Sequence, residues 1–110
     1  MKLNLDLEDK RQEAYLFSED RRAYRTYSIF LLNDNYTTPE FIISILHRYF
    51  YMGSTDAKKL MLKIREEGRA KCGQFTFDIA EIKVLEINEV ARRNQYPLLC
   101  IMEENVLMDV

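Results

Sequence analysis

Six largely apolar residues, Tyr27 to Leu32 (YSIFLL), run into Asn33-Asp34-Asn35, and beyond Thr37 the apolar residues change from continuous to helical spacing. That switch constrains the fold more than any other feature. A run rich in aromatic and β-branched residues reads as a strand, and the Asn-Asp-Asn cluster ends it. Phe41, Ile42, Ile45, Leu46, Tyr49 and Phe50 then recur at i, i+3 and i+4, which makes one broad apolar face on a helix. Two start signals compete for this helix. Thr37-x-x-Glu40 fits a capping box, with Pro39 tolerated in the first turn. Proline also disfavours helical geometry in the residue before it, which makes Thr38 the rival cap.

The remaining elements follow from similar punctuation. Gly53-Ser54 breaks the chain, and Ser54 or Thr55 is expected to cap a second helix with Ala57, Leu60, Met61 and Ile64 inward. Gly68 stands where a left-handed residue ends a helix. Arg69 to Phe75 reads as a second strand, and Thr76 as the cap of a third helix reaching about Arg93, with Ala80, Val84, Ile87 and Ala91 inward. Asn94 and Pro97 stop it, and Leu98 to Met102 is a third strand. The order β-α-α-β-α-β implies an α+β domain, with a small sheet packed against helices.

Residues 1–25 differ, with six basic and six acidic residues and no Gly or Pro. Met1, Leu3, Leu5 and Leu7 alternate with polar residues, a period-two pattern compatible with a short strand. The division expected is an N-terminal extension (1–25), a core domain (26–104) and a C-terminal tail (105–110). At 110 residues, the chain is one domain.

Charge and cysteine usage narrow the function classes. Sixteen Lys and Arg face eighteen Asp and Glu, a net charge of -2, which argues against non-specific nucleic-acid or anionic-membrane binding. No apolar run nears the roughly 20 residues of a membrane span, and MKLNLDLEDK lacks a signal-peptide hydrophobic stretch, so a cytoplasmic location is expected. Cys72 and Cys100 lie in apolar runs without metal-ligand spacing, which predicts buried core thiols, no metal and no cofactor. The single histidine, His47, falls on the expected outer face of the first helix, so no nucleophile-base constellation is available and an enzyme is not expected.

Three stretches are more specific than any periodicity: FLLNDNYTTPEF (Phe30 to Phe41), KLMLKIREEGRAKCG (Lys59 to Gly73) and IAEIKVLEINEVARRNQYPLLCIMEE (Ile79 to Glu104). Together they resemble the ClpS family, adaptors that deliver substrates to the Clp AAA+ protease, over about residues 26 to 104. The resemblance implies a three-stranded antiparallel sheet backed by three helices. It also implies a non-enzymatic monomer that grips free N-terminal Leu, Phe, Tyr or Trp and docks on the N-terminal domain of ClpA or ClpC, in a bacterial cytoplasm or a plastid.

Such a ligand offers an α-ammonium and a bulky apolar side chain, so it needs oxygen acceptors beside an apolar hole. The resemblance assigns the acceptors to the Asn33 carbonyl and the Asp34 carboxylate. It assigns the wall to Thr37, Pro39, Ile42, Met61, Ile64 and Leu98. Read alone, Asn33-Asp34-Asn35 is an ordinary turn cluster, and Ile42, Met61 and Ile64 are ordinary core.

Three positions depart from the family pattern. Arg65 replaces a histidine whose ring meets the substrate amine; a guanidinium has no acceptor, so it swings out, pairs with Asp34 or takes a peptide carboxylate. Pro39 replaces a gating methionine, and Asn35 replaces an aspartate. Unfoldase contact is assigned by resemblance to Asp78 and Lys83, which otherwise read as a solvated helix surface. Two rival readings remain at this level: a module that modulates the unfoldase without binding N-termini, and a small RNA-associated α+β domain, which the net charge opposes.

Overall fold

A computed structural model describes residues 25–106; the period-two pattern at Met1 to Glu8 and the last four residues lie outside them. The element order is β1 (Thr26–Leu32), α1 (Pro39–Phe50), α2 (Ser54–Glu67), β2 (Arg69–Thr76), α3 (Phe77–Arg93) and β3 (Leu99–Glu104). β1 is the middle strand, antiparallel to β2 on one side and to β3 on the other. The expected α+β order β-α-α-β-α-β is therefore the observed one.

Burial explains why β1 takes the centre. Ile29 and Leu31 are fully buried, and Leu31 faces Ala70 on β2 and Cys100 on β3, both of them also buried. A bulge beside Ile29 and Phe30 pairs those residues with Gly73 and Lys71 and leaves Cys72 as the extra residue of β2. The helices close the inner face with Ile42, Ile45, Leu46, Ala57, Ile64, Ala80, Ile87 and Ala91, all within one apolar cluster. Cys72 and Cys100 join it, and burial pushes both thiols up to about 12. They are inert packing groups, as their apolar settings predict.

The helix starts settle two open choices. Thr38 is the cap of α1: its hydroxyl accepts the Phe41 amide at 3.2 Å, and Pro39 is the first helical residue. Thr37 is not part of a capping box, because its hydroxyl is bonded to Asp34. At α2 the cap is Gly53 rather than Ser54 or Thr55, with no side-chain bond. Gly68 does end α2, at φ 88°, with its amide on the Ile64 carbonyl at 2.9 Å. Thr76 precedes α3 as expected but makes no side-chain cap bond. Val84 is half-buried rather than fully inward.

The outer edge of β3 is covered by one side chain. Asn88 on α3 donates to the Cys100 carbonyl and accepts the Cys100 amide, both at 2.9 Å, so it takes the place of a neighbouring strand. Asn105 fastens the end of β3 to the start of β1 through the Thr26 carbonyl and the Ser28 hydroxyl. Asn88→Ala strands both polar groups of buried Cys100. It should destabilise the fold by about 2 kcal/mol and speed exchange of the Cys100 amide, measured by denaturant unfolding and hydrogen exchange.

Candidate functional site

The segment between β1 and α1 is built around one carboxylate. Asp34 Oδ1 accepts the Tyr36 amide at 2.8 Å and the Thr37 amide at 2.6 Å, and Oδ2 accepts the Thr37 hydroxyl at 2.7 Å. Burial works against the charge, but the Thr37 hydroxyl, the Thr37 and Tyr36 amides and nearby Arg65 outweigh it. Asp34 is therefore held below the usual carboxylate range. A carboxylate has about four acceptor positions, so three donors leave room for a fourth.

Two bonds join this turn to the far end of α2. The Asn33 amide donates to the Gly68 carbonyl at 2.8 Å, and Arg65 Nη2 donates to the Thr37 carbonyl at 3.1 Å. The left-handed turn at Gly68 allows the first, since it leaves the chain pointing back toward the end of β1. Residues distant in sequence thus converge at one corner of the domain. The Asn33 side chain is the exception within this satisfied network: its Oδ1 is buried with no hydrogen-bond partner among the described residues. A buried acceptor left unpaired costs free energy, which a donor from solvent or a ligand would offset.

The apolar residues assigned by resemblance lie in the same core cluster. Ile42 and Ile64 are 1% and 0% exposed, Met61 5% and Leu98 4%, and Thr37 is buried at 2%. Pro39 is half-buried at the first turn of α1, while Arg65 is exposed. Ile42, Ile64, Met61 and Leu98 are thus nearly shut off from solvent. Met61 is their adaptable member, an unbranched thioether with three rotatable bonds. Leu98 reaches the site through the α3–β3 loop, which is fixed by Tyr96: its ring lies 4.6 Å from that of Phe41, and its hydroxyl accepts from Thr38 at 3.4 Å. Tyr96 carried no recognisable sequence signal.

Asp78 and Lys83 are not part of this corner. Asp78 is exposed in the first turn of α3. Lys83 Nζ donates to the Tyr49 carbonyl at 2.7 Å, at the opposite end of α1, and lies 5.1 to 5.8 Å from the Phe75, Tyr51 and Phe50 ring centroids. It borders a groove of about 320 Å³ that also involves Tyr51, Ile79, Ile82 and Glu86. Tyr51, Ile79, Ile82 and Leu85 are all substantially exposed. The apolar recurrence at 79, 82 and 85 is a second stripe on a helix whose inward face is already supplied by Ala80, Ile87 and Ala91. That surplus was the signal in the sequence for this surface.

Asp34→Asn tests the turn through its pH dependence. The folded value is depressed, so the carboxylate's contribution is complete above its ordinary value of 3.8 and is lost as pH falls through the lower folded value. The variant should be less stable than the parent at about pH 6, by no more than about 1 kcal/mol because solvent screens the carboxylate, with the gap narrowing as pH falls below 3.8, as measured by denaturant unfolding.

Comparison with known proteins gives the family. Residues 22–101 match the family model for ClpS, the ATP-dependent Clp protease adaptor protein. The ATP-dependent Clp protease adapter proteins ClpS of Brucella canis and Brucella abortus are each 44% identical over 78 residues, 71% of this chain and 67% of theirs. The structure of Agrobacterium tumefaciens ClpS2 bound to L-phenylalaninamide superposes with a TM-score of 0.71 at 30% identity, covering 74% of this chain and 98% of that one. The match spans the β1–α1 turn, all three helices and the start of β3, and the chain belongs to the ClpS family of non-catalytic Clp protease adaptors.

Proposed function

We propose that this chain is a bacterial cytoplasmic adaptor that grips the free, bulky hydrophobic N-terminal residue of a substrate and presents it to the Clp unfoldase. One observation carries the reading: the buried, unpaired Asn33 Oδ1 beside an Asp34 carboxylate held ionised. An α-ammonium supplies N–H donors to both acceptors. The first side chain then enters among Ile42, Met61, Ile64 and Leu98, with Met61 turning aside and Pro39 at the rim. The relative bound to L-phenylalaninamide supports the same ligand chemistry, a free amine next to an aromatic side chain.

The magnitudes fit a carrier that releases its cargo. Burying a Phe or Leu side chain contributes about 1.5–3 kcal/mol, and each charge-assisted hydrogen bond about 1.5–3 kcal/mol. Association costs at least about 4 kcal/mol, so one side chain and two such bonds leave at most about 5 kcal/mol, a dissociation constant of roughly submillimolar order or weaker. A fluorescent peptide with N-terminal Phe should bind in that range, and its Nα-acetylated twin about tenfold or more weakly. Equal binding of the two refutes amine recognition. It would favour the rival reading, a module that acts on the unfoldase alone, for which the near-complete burial of Ile42, Met61, Ile64 and Leu98 is the supporting observation.

The surface proposed for the unfoldase N-terminal domain of ClpA or ClpC is the α3 face that carries Asp78, Lys83, Ile79 and Ile82. Exposed apolar side chains around a half-buried lysine suit a protein partner. Ile82→Asp should weaken unfoldase N-domain binding at least about tenfold while leaving Phe-peptide affinity unchanged, measured by two separate titrations. Joint loss of both would show that the variant perturbs the fold rather than the docking face.

A further inference from the structure

The corner that is proposed to receive the N-terminal residue carries a cation with spare hydrogen-bonding capacity. Arg65 is exposed, and its guanidinium has five N–H donors. One bond is made, from Nη2 to the Thr37 carbonyl, and among the described residues Arg65 enters no ion pair. Thr37 also marks the distance to the acidic group. Its amide lies 2.6 Å from Asp34 Oδ1 while its carbonyl lies 3.1 Å from Arg65. The carboxylate and the guanidinium are thus bonded to the amide and the carbonyl of one and the same residue, which keeps them at the same corner.

Charge balance gives this placement a consequence. Asp34 and Arg65 cancel, so an arriving ammonium leaves the corner with one uncompensated positive charge. A carboxylate on the next residue of the bound chain would restore neutrality and fill the open side of the guanidinium fork, which matches carboxylate geometry. We infer that Arg65 selects substrates whose second residue is acidic. This inference rests on the N-terminal reading above and adds a second specificity position to it. A guanidinium already drawn off by the Thr37 carbonyl is also kept from the ammonium, so the same bond that orients Arg65 lessens its repulsion of the first residue.

The test uses the full chain and three free-amine peptides that begin Phe-Asp, Phe-Asn and Phe-Lys, each with an Nα-acetylated twin. The intact protein should bind Phe-Asp about three- to fivefold more tightly than Phe-Asn, with Phe-Lys weakest, and the spread should shrink at high salt. Arg65→Gln, an exposed substitution, should bring the Asp-to-Asn ratio close to one. A merely structural role for Arg65 would instead weaken all three peptides alike. Phe-Asp binding no tighter than Phe-Asn in the parent, or an unchanged ratio in Arg65→Gln, overturns the inference while leaving N-terminal recognition intact. Free and acetylated peptides bound equally would overturn the N-terminal reading, and this inference with it.

Discussion

The three hydrogen bonds to the Asp34 carboxylate hold the corner on which the rest of this protein depends. A strand at the centre of a sheet has to leave it abruptly if the next helix is to pack on the same face. The chain does so in the residues between Leu32 and Pro39. Without the carboxylate, the Tyr36 and Thr37 amides would be donors without protein partners next to a helix start. With it, the turn has one geometry, and Thr37 is drawn inward until it is buried. The same folding event that ends β1 therefore places Asn33 and Asp34 side by side, one orphaned and one charged. Structural and proposed binding roles are therefore compatible. The turn cluster that the residues suggest by themselves is what would give the acceptors their positions.

Much of this was legible in the residues because it depends on local rules. The strand at Tyr27 to Leu32, the apolar face of α1 and the stop at Gly68 follow from residue type and spacing, and each element lies where those rules put it. The starts of the first two helices were harder to read. Thr37 and Thr38 are equally good caps in isolation, and only the partnership with Asp34, settled in three dimensions, removes Thr37 from the contest. At α2 the helix begins at Ser54 itself, with Gly53 in the cap position and no side-chain cap bond. Local pattern also says nothing about which strand is central. The structure puts β1 there, and the physical reason lies in Leu31, buried between Ala70 and Cys100.

The site was less legible, for a related reason. Ile42, Met61, Ile64 and Leu98 obey the same burial pattern as the rest of the core, and nothing in their periodicity distinguishes a wall from a filling. Arg65 reads from sequence as a departure with three possible outcomes. The structure adds a bond to a main-chain oxygen that no side-chain pairing rule anticipates. Lys83 presents the converse case. Its helix position suggests a solvated cation, yet it is half-buried on the Tyr49 carbonyl among three aromatic rings. Such an arrangement is favourable because the ammonium satisfies an orphan carbonyl at a helix end while its stem and charge meet ring faces.

These two atypical cations lie at opposite ends of one rigid element. Arg65 is bonded to the turn that leads into α1, and Lys83 to the carbonyl of its penultimate residue. Twelve helical residues separate the two ends by about 18 Å, with Ile42, Ile45 and Leu46 fixed in the core between them. A hydrophobic N-terminus at one end and an unfoldase domain at the other would therefore be held at a set separation without competing for the same atoms. Neither would need the other's site to move, because the helix between them is packed throughout its length. An adaptor needs this arrangement: cargo affinity and partner affinity can be tuned separately, one through the residues around Thr37 and the other through the face of α3.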